Sequence, residues 1–281
     1  MKKIKPDTYV GERALYHISD FLIENCIFEE GESPLKECKN LEVRNTEFRW
    51  KYPMWYSENI LCENIKILES ARSGVWYTKN ITIKDSIMEC PKFFRRCEGV
   101  TLVNTDLPHA LETFWGTKDI VIKDVRAKGD YFCFRCENVE VDNLYLDGNY
   151  AFDSCKDVVI RNSILNSKDS FWNVENALII NCRIIGEYLG WNSKNLTFID
   201  CTIESNQGLC YIDKLVLKNT RLDNTDLCFE LCSNIDAEVT SHVLSIKNPI
   251  SGKIKVKSVG EIILDKEMID PSKTEIVVED E

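Results

Sequence analysis

The sequence lacks any apolar run longer than a few residues, and this excludes a helix that crosses a lipid bilayer. It has only three histidines, His17, His109 and His242, and their spacing fits neither a zinc site nor a Ser-His-Asp triad. A glycine-rich loop that could cradle a phosphate is also missing. We therefore expect no metal, no cofactor and no membrane partner.

Positive charge is in short supply. The chain carries 35 basic against 46 acidic residues, a net charge of -11, which disfavours nucleic acid as a partner. The segment Met1–Asp7 has lysines but no apolar stretch after them, so we expect no signal peptide. The thirteen cysteines are an odd number without an export signal, which predicts reduced thiols and a cytoplasmic location.

What the sequence does contain is a repeat. The motif Lys156–Leu165 returns nineteen residues later as Glu175–Ile184, and nineteen later again as Lys194–Ile203. A fixed period of about twenty residues predicts a solenoid. The first apolar residue of the motif, called the origin here, recurs every 19 to 21 residues, at Phe21, Leu41, Ile60, Ile81, Val100, Ile120, Val139, Val158, Ala177, Leu196, Leu215, Ile235 and Ile254.

Each repeat has the pattern of short strands joined by turns. The origin and the second residue after it are apolar, as at Val158 and Ile160, which is the alternation of a strand with one buried face. Asn or Asp stands directly before most origins and again four residues after them, where these residues favour turns. Stacked asparagines should form ladders. This predicts an all-β chain, a single-stranded parallel β-helix of about twelve coils, each of 19–21 residues.

We expect residues 1–281 to form a single domain. Residues 1–14 are the expected N-terminal cap, residues 15–251 the coils, and residues 252–281 the last coil and the C-terminal cap. Caps are needed because an open coil exposes the edge of a sheet.

The repeated [Lys/Glu]-[Asn/Asp]-apolar-x-apolar-x-[Asn/Asp]-[Ser/Thr/Cys] pattern resembles right-handed parallel β-helix proteins of the pectin-lyase-like superfamily. More narrowly, it resembles a bacterial family of unknown function with short coils. The resemblance covers roughly residues 15 to 265 and implies a right-handed coil. It leaves the activity open, because the superfamily includes pectate lyases, polygalacturonases and non-catalytic proteins.

The catalytic motifs of these enzymes do not carry over. Asn104-Thr105-Asp106 resembles the Asn-Thr-Asp of polygalacturonases, but Asn104 belongs to a turn column, and the same triplet recurs at Asn224. The other polygalacturonase motifs and the calcium-binding aspartates of pectate lyases have no clear equivalent.

One column, five residues before each origin, gathers five of the six tryptophans. It reads Tyr16, Lys36, Trp55, Trp76, Arg95, Trp115, Phe134, Asp153, Trp172, Trp191, Cys210 and Glu230. If the column faced inward, its charged members would be buried without partners, at a high cost in free energy. We therefore predict that it faces outward.

Two interpretations of this column stay open. The aromatic rings either form a groove in which sugar rings stack, or cover one another as a stabilising ladder. For a groove, the candidate substrate-binding residues are Trp55, Trp76, Arg95, Arg96, Trp115, Phe134, Tyr150, Trp172 and Trp191. Arginines suit a carboxylate such as that of a uronic acid.

The candidate catalytic residues are Asp153, Arg135 and Asp169. A carboxylate pair would act as acid and base of a hydrolase, and an arginine with a carboxylate would serve a lyase. The competing interpretation of these charges is a solvated face. We thus expect a protein that binds an oligosaccharide or another small polar ligand. Whether it also cleaves an oligosaccharide as an enzyme is left open. The alternative is a non-catalytic structural or interaction protein whose aromatic face binds a partner chain or a second copy, as a homodimer.

Overall fold

The computed structural model describes residues 1–279, which group into two compact units. Unit 1 is Met1–Tyr145 and unit 2 is residues 146–279. Both are parallel β-solenoids, as predicted. The described residues contain only two helices, the short 3₁₀ helices Glu69–Ala71 and Pro271–Lys273, and none long and apolar enough to span a membrane. The single-domain organisation stays a prediction.

The longer strands of unit 1 carry the repeat motif. They are β1 (Lys2–Lys3), β2 (Thr8–Tyr9), β3 (Phe21–Glu24), β4 (Ile27–Phe28), β5 (Lys39–Arg44), β6 (Glu47–Phe48), β7 (Glu58–Glu63), β8 (Lys66–Ile67), β10 (Lys79–Met88), β12 (Glu98–Leu107), β14 (Lys118–Lys128) and β16 (Glu137–Asp147), the last of which ends beyond the unit. A separate four-stranded sheet is built from β9 (Val75–Trp76), β11 (Phe94–Arg95), β13 (Phe114–Trp115) and β15 (Cys133–Phe134).

Unit 2 follows the same plan. Its strands are β17 (Lys156–Arg161), β18 (Ile164–Asn166), β19 (Glu175–Ile180), β20 (Arg183–Ile185), β21 (Lys194–Ile199), β22 (Thr202–Glu204), β23 (Asp213–Asp223), β24 (Ile235–Lys247), β25 (Gly252–Ile263) and β26 (Thr274–Val278).

The strand register confirms the repeat. Ile81 pairs with Val100 in unit 1, and Val158 pairs with Ala177 in unit 2, so predicted origins face one another across neighbouring coils. Val158 and Ile160 are 1% and 0% exposed, as expected of core residues. All thirteen cysteines are buried, where they pack as small apolar residues of the core.

Residues 1–279 contain about fifteen coils, slightly more than the predicted twelve or so. The extra rungs are at the ends. Lys2 of β1 pairs with Phe21, and Ile254 of β25 pairs with Ile276 of β26. A terminal rung has one neighbouring coil instead of two, so it needs less of the apolar pattern by which the other rungs were found.

The predicted asparagine ladders are present in both units. The Asn59 side chain donates to Asn40 at 3.0 Å, and Asn80 donates to Asn59 at 3.0 Å. In unit 2, Asn195 donates to Asn176 at 2.8 Å, and Asn176 donates to Asp157 at 2.8 Å. Aspartate accepts but cannot donate, so each aspartate ends a run of amide bonds. These contacts hold the register of neighbouring coils.

An ionic ladder, which the sequence analysis did not separate from the motif, lies two residues before the origins. Lysine and an acidic residue alternate there from coil to coil: Lys39, Glu58, Lys79, Glu98, Lys118 and Glu137 in unit 1, and Lys156, Glu175, Lys194 and Asp213 in unit 2. Lys39 meets Glu58 at 3.0 Å, and Lys156 meets Glu175 at 3.3 Å. Exposed pairs of this kind contribute about 0–1 kcal/mol each, so their main effect is to favour one register.

Candidate functional site

In unit 1, the predicted substrate-binding residues stack on one another. The Trp55 and Trp76 rings lie 4.8 Å apart and within 6° of parallel. The Arg95 guanidinium lies between two indoles, 4.6 Å from the Trp76 ring and 4.9 Å from the Trp115 ring. Trp115 meets Phe134 edge-on at 4.6 Å. We call these five residues the unit 1 ladder.

The small sheet of β9, β11, β13 and β15 fixes this ladder. It pairs Arg95 with Trp76 and with Trp115, so each side chain rises directly above the last. The indole N–H of Trp55 donates to the Ser73 carbonyl at 2.7 Å, and that of Trp76 donates to the Lys92 carbonyl at 2.9 Å.

Arg95 also has an ionic partner. Its guanidinium pairs with the Glu112 carboxylate at 3.2 Å. The ring faces of the ladder are thus largely covered within the protein, and the indole N–H groups of Trp55 and Trp76 are bonded, while the Arg95 Nε is buried without a hydrogen-bond partner. This geometry favours the stabilising-ladder interpretation for these residues.

Unit 2 uses the same column differently. A cavity of about 330 Å³ is lined by Tyr150, Lys168, Asp169, Trp172, Tyr188 and Trp191. We call it the unit 2 cavity. Its volume lies at the lower end of the range for small-molecule sites, and its aromatic lining with a few polar groups is typical of them. Four residues predicted for the site, Tyr150, Asp169, Trp172 and Trp191, therefore come together here.

The rings of this cavity are splayed. Tyr150 and Trp172 are 6.0 Å apart and tilted by 34°, and Tyr188 meets Trp191 edge-on at 6.2 Å. Trp191 has one face covered, since it stacks on Tyr211 at 4.5 Å. Within the described part of unit 2, Trp172 and Trp191 form no stacked pair although they occupy neighbouring coils. The space between splayed rings is the cavity.

Backbone bonds between coils position the cavity residues. The Tyr150 N–H donates to the Lys168 carbonyl at 2.8 Å, and the Asp169 N–H donates to the Glu187 carbonyl at 2.8 Å. Tyr150, Asp169 and Tyr188 all have left-handed dihedrals, with φ of 57°, 50° and 51°. These dihedrals belong to the turns that recur in every coil, so the three residues stand at equivalent places in successive coils.

Asp169 is the buried carboxyl of the cavity, at 5% exposure. Its burial raises its pKa above the ordinary value, and the charges of Glu187 and Asp153 raise the pKa further, while Lys168 lowers it. Such a carboxyl keeps its proton to higher pH than a solvated one, which suits a hydrogen-bond donor or a general acid.

The other predicted catalytic residues are placed as follows. Asp153 is half-buried and accepts a hydrogen bond from the Ser154 hydroxyl at 2.7 Å, and its charge acts on Asp169. Arg135 belongs to unit 1, where it is exposed and lies 4.9 Å from the Phe134 ring. Arg96, also exposed, belongs to unit 1 as well. The catalytic assignment of Asp153, Arg135 and Asp169 stays a prediction.

Comparison with known protein families identifies the family of the chain. Residues 2–277 match the family described as "Protein of unknown function (DUF3737)". The chain belongs to this family. The match confirms the resemblance to a short-coil family of unknown function that the repeat motif indicated. No curated protein matches the DUF3737 chain.

Several solved structures are similar to this DUF3737 protein at low identity. The adhesin PfbA of Streptococcus pneumoniae is 12% identical, with a TM-score of 0.37, over 88% of this chain and 70% of that one. The tailspike protein of E. coli bacteriophage HK620, solved with a pentasaccharide, is 9% identical, with a TM-score of 0.38, over 87% and 60%. The mannuronan C-5 epimerase AlgE4 A-module of Azotobacter vinelandii is 10% identical, with a TM-score of 0.28, over 95% and 82%. Similarity at this level supports no statement about the activity or the ligand of this chain.

Sequence reasoning missed Lys168 in this DUF3737 protein. The Lys168 ammonium lies 5.4 Å from the Tyr188 ring centre and 3.7 Å from the Glu187 carboxylate. Its column, nine residues before the origin, holds charged residues of both signs and no aromatic residue, so the column itself indicates a solvated face, and only the position next to Asp169 could have pointed to Lys168. Within residues 1–279, no group of three or more His, Cys, Asp or Glu residues is placed to hold a metal.

Proposed function

We propose that the unit 2 cavity binds a sugar unit of an oligosaccharide. The observation that carries the proposal is the lining itself, with four aromatic rings around one buried carboxyl. Splayed rings offer flat apolar area to the C–H face of a sugar. The carboxyl and the Lys168 ammonium supply the few oriented polar groups that such a ligand needs.

Cleavage is the further step of this proposal. Asp169, with its raised pKa, would hold a proton that it could donate to the oxygen of a glycosidic bond. Asp153 would act as the second carboxylate. Asp169→Asn should then preserve oligosaccharide binding and abolish turnover, because the proton is needed only in the transition state. In a protein that binds without cleaving, wild type shows no turnover, and Asp169→Asn changes only the affinity.

The first experiment is a glycan array probed with the purified protein, followed by titration of any hit. Wild type should bind at least one oligosaccharide. Binding to no glycan on the array would contradict the proposal.

A second candidate function is supported by the unit 1 ladder. Its engaged ring faces fit a structural or interaction protein better than a sugar groove. If this aromatic face mediates a homodimer, Trp115→Ala should lose dimerisation in sedimentation equilibrium. Dimerisation lost in this variant, together with no glycan binding by wild type, would favour the interaction protein over the sugar-binding one.

A further inference from the structure

A second column of side chains runs beside the unit 1 ladder. Tyr56, Tyr77, Arg96, Gly116 and Arg135 each follow a ladder residue directly, in five successive coils. The N–H groups of the first four bond to the next coil, as when Arg96 donates to the Trp115 carbonyl at 2.9 Å and Gly116 to the Phe134 carbonyl at 2.8 Å. We call this set the outer column.

Gly116 leaves a gap in the outer column. Below it, the Tyr56 and Tyr77 rings fill their positions and stack at 4.8 Å. The φ of Gly116, 60°, does not demand glycine, because Tyr77 has a φ of 58° and Arg96 one of 49° at the same position. Space does not demand it either, since a Cβ built on Gly116 meets only the Arg96 Cγ, at 3.9 Å. The position could hold a side chain and has none.

The gap is the centre of a cleft. A cavity of about 370 Å³ is lined by Tyr77, Lys79, Arg96, Cys97, Glu98, Gly116 and Lys118. We call it the Gly116 cleft. Its lining holds three cations and one anion, in a chain whose net charge is -11. The cleft is therefore a positive spot on an acidic protein.

Arg96 carries that charge within the lining, and Arg135, which lies one coil beyond Gly116 and outside the lining, adds a second cation beside the cleft. Lys79 is paired with Glu98 at 3.4 Å, and Lys118 is paired with Glu137 at 2.6 Å. Among residues 1–279, no carboxylate forms an ion pair with Arg96 or Arg135. The two arginines stand one coil before and one coil after Gly116, and coils are spaced by about 4.8 Å. Two uncompensated guanidiniums thus flank an empty position.

We propose that the Gly116 cleft binds an oxoanion, that is, a carboxylate, sulfate or phosphate group, between Arg96 and Arg135. A planar guanidinium donates two parallel hydrogen bonds to such a group, and a second guanidinium neutralises the remaining charge. The site shares no residue with the unit 2 cavity, so it goes beyond the proposed function, and either can fail without the other.

The test is calorimetric titration of the whole protein with sodium sulfate, sodium phosphate and sodium acetate at constant ionic strength. Wild type should bind at least one of them. Sulfate or phosphate binding indicates a tetrahedral group, and binding of acetate alone indicates a carboxylate. Arg96→Gln and Arg135→Gln should each weaken binding by about tenfold or more, since each removes charge-assisted hydrogen bonds. Arg72→Gln is the matched control, because Arg72 is exposed in unit 1 and does not line the cleft.

A second variant tests the gap itself. Gly116→Tyr places in the gap a side chain that Tyr77 shows to fit the column, and it should abolish binding, while Gly116→Ala leaves more room and should retain more of it. Three results would overturn the proposal: no probe binds wild type, Arg72→Gln weakens binding as much as Arg96→Gln, or Gly116→Tyr binds like wild type. If Gly116→Tyr does not fold, the arginine variants decide, because Arg96 and Arg135 are exposed.

Discussion

The unit 1 ladder and the two tryptophans of the unit 2 cavity belong to the same column of the repeat, but their rings pack differently. In unit 1, Trp76 has Trp55 on one face and the Arg95 guanidinium on the other, so little of either face is open. In unit 2, the aromatic neighbour of Trp172 among residues 146–279 is Tyr150, which is tilted by 34° at 6.0 Å. A column of aromatic residues is therefore not a binding groove by itself. It becomes one where the rings fail to cover each other.

The two regions also differ in the charged side chain that lies next to the indoles. Arg95 has a flat, delocalised cation that fills the step between two indoles. In unit 2, the side chain beside the rings is the short carboxyl of Asp169, which leaves space and brings a polar group into it. The comparison predicts that substitutions in the unit 1 ladder lower the stability of the fold, whereas substitutions in the unit 2 cavity weaken ligand binding.

The largest expected effect lies in the core beneath both regions. Val158→Asp in unit 2 and Val100→Asp in unit 1 should each lower the free energy of unfolding by more than about 4 kcal/mol, through a buried unpaired charge and lost apolar burial. Val158 is 1% and Val100 is 0% exposed. Urea denaturation measures the loss. Arg161→Ala, at an exposed position of the same strand as Val158, is the control and should change stability by less than about 0.5 kcal/mol. Equal losses in Val158→Asp and Arg161→Ala would refute the inward assignment.

The next effect separates the two aromatic regions. Trp76→Ala should lower the free energy of unfolding by about 3 kcal/mol, because it leaves a void between Trp55 and Arg95. Trp172→Ala should lower it less, by about 1 kcal/mol, because it enlarges a space that already exists. Thermal and urea unfolding of both variants measure the difference. A larger loss for Trp172→Ala would contradict the contrast between a closed stack and an open cavity.

A smaller effect comes from the Asp169 carboxyl. Its pKa is raised in the folded protein, chiefly by burial, so the proton is bound more tightly in the folded than in the unfolded state. The stabilisation that this proton provides is full at acidic pH and is lost as pH rises through the folded pKa. Asp169→Asn should therefore gain stability relative to wild type as pH rises, in urea titrations from acidic to neutral pH. A difference that stays constant with pH would show that Asp169 is not a destabilised carboxylate.

The last prediction is that the two units do not differ in the oxidation state of their cysteines. Burial raises the pKa of the Cys97 thiol in unit 1 to about 12, and we propose that the cysteines of both units stay reduced in a cytoplasmic environment. Cys182 and Cys201 lie in neighbouring coils, where the Cα spacing of about 4.8 Å would permit a disulfide. Mass spectrometry of protein denatured and alkylated directly from lysate should show thirteen modified cysteines. A stable bridge between Cys182 and Cys201 would instead indicate an oxidising location.

Much of the fold was predictable, because a solenoid repeats its local rules in every coil. Origins such as Val158 and ladder positions such as Asn176 follow directly from hydrophobic period and turn chemistry. The end rungs at Lys2 and Ile276 were not predictable, since they have only one neighbouring coil and lack the full motif.

The candidate site was predictable only as a column. The repeat places Trp76 and Trp172 in the same column. Whether two rings cover each other depends on side-chain rotation and on neighbours such as Arg95, which the repeat period does not determine. Gly116 carries no chemistry of its own in the sequence. Its role in the proposed anion site follows from the strand register, which places Arg96 one coil before it and Arg135 one coil after it.

The most direct test of the central claim is oligosaccharide binding by Trp172→Ala and Trp76→Ala, measured by calorimetry with a glycan that wild type binds. Trp172→Ala should weaken binding by about 1–3 kcal/mol, roughly ten- to a hundredfold, because it removes a ring of the cavity. Trp76→Ala, the matched control in the unit 1 ladder, should leave the affinity unchanged within about twofold while it lowers stability. Loss of binding in Trp76→Ala with full affinity in Trp172→Ala would place the ligand on the ladder and contradict the account.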